Sequence, residues 1–193
     1  MSIPQLLTAR LLLRGWEARD HSPMAAITGD PRVGEWLGGV IGPEETASRI
    51  QRWADHWQQH GFGLWAVEER DSGVLVGRTG FMHWDDWTAS PHDAEIGWTF
   101  SSAVWGRGYA TEAATAALEW ARTQPGLRHI ISITFPHNAR SRRVMEKLGL
   151  TYRGQAVWRG FDPVVWYALE LGADPCVRAL ARVQIGGSPS RDR

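Results

Sequence analysis

The sequence predicts an α/β (α+β) fold, and three features carry that expectation. Apolar runs of strand length alternate with stretches of helical periodicity. Three of those runs follow one another closely enough to form a meander. A glycine-rich turn then leads into a helix with an alanine-lined face.

Residues 7–16 open as an apolar β-like run, and residues 17–28 follow with a helical pattern that Pro31 must interrupt, because proline brings no amide to a helix. Gly42-Pro43-Glu44-Glu45 reads as a helix start, with proline and acidic residues where the first turn favours them. Ile50, Trp53 and Trp57 continue that helix at matching spacing until Gly61 ends it. Residues 64–69 and 74–81 read as strands joined by Arg70-Asp71-Ser72-Gly73, a tight-turn composition. Over residues 94–100, Ile96, Trp98 and Phe100 alternate with Glu95, Gly97 and Thr99, so the Glu95 carboxylate falls on the face opposite the apolar side chains. Ala110, Ala113, Ala114, Ala117, Leu118 and Ala121 then recur on one helix face, whose small side chains let it lie close to a sheet. A buried strand at 128–135, a short helix at 138–148 and closing strands at 150–157 and 164–170 complete the pattern.

The 193-residue length suits a single domain, expected over residues 1–171, with residues 172–193 as a C-terminal tail whose extreme end has a composition that favours disorder. A chain that is 43% hydrophobic and 22% charged is neither a disordered segment nor a disulfide scaffold. Its 21 basic residues match its 21 acidic ones, so it lacks the bulk positive field of a nucleic-acid or anionic-membrane binder, which disfavours nucleic acid and a tRNA-directed role. No run is apolar enough to span a membrane, and residues 3–13 are followed by no cleavage site, so the expected location is the cytoplasm. Cys176 stands alone, without the partners a disulfide or a cysteine-rich metal site requires, and no metal is expected. The 12 tryptophans read mainly as core packing. Exposed members of that set and the hydrophobic segment 177–185 could supply a homodimer interface, although core packing is the simpler account, so monomer and homodimer both stand.

The most informative stretch is Trp105-Gly106-Arg107-Gly108-Tyr109-Ala110-Thr111-Glu112, between a strand and the alanine-rich helix. Glycines let backbone amides turn toward one point, and a helix start adds unsatisfied donors and partial positive charge, a combination suited to pyrophosphate. It lacks the Gly-Lys-Ser/Thr ending of a nucleotide P-loop and the third glycine of a dinucleotide turn. An ordinary strand-to-helix turn has the same composition. Asn138 through Leu150 forms a second segment, in which Asn138, Lys147 and Gly149 fit the start, last turn and end of a helix.

These segments stand in order with Thr8-Ala-Arg-Leu-Leu-Leu-Arg14, Gly61-Phe-Gly-Leu-Trp65 and Glu95-Ile-Gly-Trp98, over residues 6–170. With them the chain resembles the GNAT superfamily of acyl-CoA-dependent N-acetyltransferases, and within it the RimJ/RimL type. The acyl-CoA loop of that superfamily follows Gln/Arg-x-x-Gly-x-Gly/Ala; here Trp105 takes the first place, Gly108 the fourth and Ala110 the sixth. The resemblance implies a mixed, mostly antiparallel seven-stranded sheet flanked by about four helices and splayed between its fourth and fifth strands, where the pantetheine arm enters. It implies acetyl-CoA as acyl donor, with Trp98, Thr99 and Phe100 beside the pantetheine and the turn of Trp105, Gly106, Arg107, Gly108, Tyr109, Ala110 and Thr111 at the pyrophosphate. Asn138 would bond the pantetheine region, and Arg143 or Lys147 the ribose phosphate, although a solvated helix face explains both charges as well.

The implied activity is direct transfer of the acetyl group to a primary amine, on a protein N-terminus or a small molecule such as an amino-sugar antibiotic. A non-catalytic acyl-CoA-binding regulator is the alternative. Glu95 is the candidate base, acting through water, or else a structural carboxylate. Ser141 is the candidate donor to the leaving sulfur, or else a helix cap; Met145 occupies the place where many relatives carry a tyrosine, so a tyrosine acid there is excluded. His83 and His137 are candidate proton relays or structural histidines. His83, Trp84 and Asp85 lie in a loop that combines aromatic walls with carboxylates and would suit a cationic amine, as would any solvated turn of that composition. Cys176 lies outside the resembling region, which disfavours a covalent route.

Overall fold

The computed structural model describes residues 2–172. Cys176 and the segment 177–185 lie outside them. The run read as one opening strand is two, β1 (Leu6–Leu7) and β2 (Leu11–Arg14), because the chain reverses through Thr8–Arg10 and pairs Leu7 back onto Leu12. After a short 3-10 turn come α1 (His21–Thr28), α2 (Pro31–Gly34) and α3 (Pro43–His60). Pro31 starts α2 rather than merely ending α1: Asp30 caps it by accepting from the Arg32 amide at 3.0 Å, and proline tolerates a first-turn position that lacks an amide partner. The meander follows as β3 (Leu64–Glu69), β4 (Val74–Met82) and β5 (Ala94–Phe100), then α4 (Tyr109–Arg122), β6 (His129–Thr134), α5 (Ala139–Lys147), β7 (Thr151–Trp158) and β8 (Phe161–Glu170).

The eight strands among the described residues form one sheet in the order β1-β2-β3-β4-β5-β6-β8-β7, in which only the β5–β6 pair is parallel. The count exceeds the seven strands and about four helices of the sequence reading because the first run splits and α2 forms. The expected splay is present. Parallel pairing holds only at Ala94 with Ile130 and Glu95 with Ile131, after which β5 and β6 diverge. The Ser132 hydroxyl donates to the Ile96 carbonyl at 2.8 Å and bridges the strands where the backbone ladder stops.

Period-two alternation sorts the sheet's two faces into separate cores. Trp65, Val67, Phe81, Ile96 and Phe100 pack against the alanine face of α4, whose Ala113, Ala114, Ala117 and Ala121 are fully buried. Leu64, Ala66 and Leu75 face the other way, toward Met24 and Ile27 of α1, Val33 of α2 and Ile50 and Trp53 of α3. A third cluster, Trp87, Ile131 and Val164, lies beneath the β4–β5 loop.

Candidate active site

The divergence of β5 and β6 opens a cleft of about 820 Å³ that runs from the N-terminus of α4 to the side of the sheet covered by α3. At the α4 end, Gly106 and Gly108 adopt φ of 81° and 82°, the left-handed region that side-chain-bearing residues avoid. A Cβ on Gly106 would meet nothing within 4 Å. The first hydrogen bond of the helix runs from the Glu112 amide to the Gly108 carbonyl at 3.0 Å, so the amides of Tyr109, Ala110 and Thr111 have no intrahelical acceptor. Open space, glycine backbone and unsatisfied amides with the positive end of the helix dipole make a fitting cradle for a diphosphate.

The turn is fixed from outside by residues not singled out for a role in the sequence. Glu112 accepts from the Thr8 hydroxyl at 2.6 Å, the Arg10 amide at 2.9 Å and Arg10 Nε at 2.7 Å. Arg10 in turn donates through Nη1 to the Arg107 carbonyl at 2.9 Å and lies 4.6 Å over the Tyr109 ring. The Thr8-Ala-Arg10 motif therefore holds the loop. Arg107 itself does not line the cleft: its amide bonds the Val104 carbonyl at 3.3 Å, and its exposed side chain lies outside. Trp98, Thr99, Phe100, Trp105, Gly106, Gly108, Tyr109, Ala110, Thr111, Asn138, Ser141 and Arg143 all line it. The Tyr109 hydroxyl is directed away, donating to Glu69.

Asn138 is the N-cap of α5, its Oδ1 accepting from the Ser141 amide at 3.1 Å. The capping alternative for the Ser141 hydroxyl is thereby removed: the cap is made by Asn138, and Ser141 lines the cleft, its hydroxyl without a hydrogen-bond partner among the described residues. Met145 is fully buried in the core. Arg143 and Lys147 are exposed on the cleft-facing side of α5.

Across the cleft, Glu95 shares its sheet face with Gly97 and Thr99, as the alternation requires. Trp84 Nε1 donates to Glu95 Oε2 at 2.5 Å. Burial raises the carboxyl above its ordinary value, against the opposing pull of the Trp84 bond and the nearby Arg78 charge. Trp84 and Glu95 thus come together, while the other two residues of that loop do not join them. His83 Nδ1 is bound to the Asp93 carbonyl at 2.9 Å and its ring stacks on His92, and the Asp85 side chain is 99% exposed. His137 stacks on Phe135 and lies tilted against Trp36 at the surface. Residues that sequence reading missed complete this end. Arg78 of β4 lies 4.7 Å over the Trp53 ring, and Arg159 stacks on Trp84 and Trp158 while paired with Asp86 at 2.6 Å. They come from α3, β4 and the β7–β8 hairpin, and no local spacing links them. Among the described residues no group of three or more His, Cys, Asp or Glu side chains is placed to hold a metal ion.

Comparison with known proteins shows the family and the fold. Residues 10–151 match the family described as Acetyltransferase (GNAT) domain. An uncharacterized N-acetyltransferase of Bacillus subtilis, YnaD, is 31% identical over 151 residues, covering 77% of this chain and 84% of that protein. The crystal structure of an acetyltransferase from Agrobacterium tumefaciens superimposes with a TM-score of 0.76 at 27% identity, over 88% of this chain and 96% of that one. The ribosomal L7/L12 α-N-protein acetyltransferase RimL, solved with coenzyme A, has the same fold at a TM-score of 0.74, 17% identity, 89% of this chain and all of its own.

Proposed function

Since the chain belongs to the acetyltransferase (GNAT) family and is an acetyl-CoA-dependent acetyltransferase, we propose that it acetylates a primary amine, on a small molecule or a protein N-terminus, by direct attack. Acetyl-CoA supplies the activated acetyl thioester. The amides of Gly108 to Thr111 and the open turn at Gly106 hold its diphosphate, and Trp98, Thr99, Phe100 and Asn138 flank the pantetheine arm along the opened sheet. The exposed cations Arg143 and Lys147 suit the ribose phosphate. Glu95 takes the proton that the amine must shed, directly or through one water, and the Ser141 hydroxyl donates to the departing sulfur.

One observation carries this reading. A single cleft joins an amide-lined turn at one end to a half-buried carboxylate at the other, with the Ser141 hydroxyl of α5, unpartnered among the described residues, on the wall between them. A neutral amine is required for attack, and a carboxylate whose pKa is raised toward the working pH is a better proton acceptor than a fully solvated one. A screen of primary amines with acetyl-CoA, read by thiol release, tests it: turnover that falls on Glu95→Gln and on Ser141→Ala supports the assignment. Coenzyme binding without turnover across the screen would instead identify a non-catalytic acyl-CoA-binding regulator.

A further inference from the structure

Three guanidiniums face the amine end of the cleft. Arg49 is engaged by Glu45 at 2.9 Å and Arg159 by Asp86, but Arg78 makes no hydrogen bond or ion pair among the described residues. It is half-buried, and burial brings its pKa down to about 10, so at neutral pH it remains a charged group whose lost hydration is offset only by the Trp53 ring and the more distant Glu95 charge, with no hydrogen bond or ion pair among the described residues. Its position is set by register. Arg78, Gly80 and Met82 of β4 pair with Thr99, Gly97 and Glu95 of β5, which puts Arg78 and Glu95 on one face about 13 Å of strand apart. Gly97 leaves the floor between them bare: a Cβ there would meet only Glu95 Oε1, at 3.9 Å.

This site therefore offers a proton acceptor and, across a side-chain-free stretch, a forked cation held over Trp53. A guanidinium matches a carboxylate with two parallel N–H bonds, and a desolvated one gains most from such a partner. We propose that the acceptor is a small zwitterionic amine, an amino acid with an apolar or aromatic side chain, whose carboxylate is bound by Arg78 while its amine lies at Glu95. The side chain then packs on the walls formed by Trp36, Trp84 and Trp158. The proposal rests on the acetyltransferase reading above and narrows its acceptor class.

The test compares matched acceptors with acetyl-CoA and the full chain: L-phenylalanine, L-phenylalaninamide and 2-phenylethylamine, and the corresponding leucine set. The amides carry the less basic amine and are the more easily deprotonated, so a preference for the acid runs against intrinsic reactivity. We expect kcat/KM for the acids to exceed that for the amides by about tenfold or more. Arg78→Met should bring the ratio to about one, and Arg78→Lys should keep part of it. Coenzyme A titration of each variant reports whether the fold and the donor site persist. Equal turnover of acid and amide by the parent chain, or a loss on Arg78→Met that falls equally on both or on coenzyme A affinity, overturns the carboxylate assignment and leaves acetyl transfer standing. Turnover confined to peptide N-termini overturns it in favour of a protein acceptor. Coenzyme A binding with no amine turned over at all defeats both readings.

Discussion

Glu95 is held between opposing influences: burial disfavours its ionised form, while the Trp84 N–H and the Arg78 charge favour it, and burial prevails. A base must be ionised to act, so kcat/KM should rise with pH along an acidic limb whose inflection lies above the ordinary carboxyl value of 4.5. Glu95→Gln should abolish that limb and lower kcat/KM by about 10²–10⁴; a profile that keeps the limb would remove Glu95 from the role. The same shift has a stability sign. The folded carboxyl binds its proton more tightly than the unfolded one, so ionised Glu95 weakens the fold at neutral pH, and Glu95→Gln should unfold no earlier than the parent at pH 7. Thermal melts check this. The sheet face of Glu95 was legible from strand alternation, and the Ser141 alternative of cap or donor from its place after Asn138 in the resembling segment. The structure gives the cap to the Asn138 side chain, and Arg78 stayed hidden because its relation to Glu95 exists only across the β4–β5 register.

At the α4 N-terminus the loop and the helix face were legible and their anchoring was not. Its glycines and alanine stripe were readable as a loop and a close-packing face, and the helix forms where that pattern begins, at Tyr109. Its anchoring was not readable, since Thr8 and Glu112 are 104 positions apart in sequence. The same hidden contact explains the misread opening strand: Thr8 and Arg10 turn away from the apolar run to reach Glu112. Two substitutions separate backbone from anchor. Gly108→Val places a branched residue at φ 82°, costing about 1–3 kcal/mol locally, and should weaken coenzyme A binding by titration. Glu112→Ala strips the acceptor from Thr8 and Arg10, and should weaken the same binding while costing about 1–3 kcal/mol of stability. Unchanged coenzyme affinity in both would show that the turn does not hold the donor.

At the scale of the molecule, one sheet separates α4 from the α1–α3 layer, and the site lies where that sheet parts. The α1 side is tied on by a buried ion cluster: Arg14, 3% exposed, donates to Asp20 at 2.7 and 2.8 Å and to Glu68 at 2.8 Å. Asp20→Ala leaves a buried guanidinium short of its main partner and should cost about 3–5 kcal/mol by denaturant unfolding. His56, packed beside Phe62, accepts from the His83 amide at 3.0 Å and is held neutral, burial lowering it to about 4. The unfolded chain takes up that proton first, so stability should decline as pH drops from about 6.5 toward 4, with a shallower slope in His56→Gln. The mostly antiparallel sheet and the parting of β5 from β6 followed from the family resemblance, whereas the strand order and these ties between distant segments needed the fold itself. The most direct test of the whole account is a crystal structure with coenzyme A bound. The account predicts the diphosphate within hydrogen-bonding reach of the amides of residues 108–111, with the thiol end between β5 and β6; a diphosphate bound elsewhere, or strands closed on one another beyond Glu95, would contradict it.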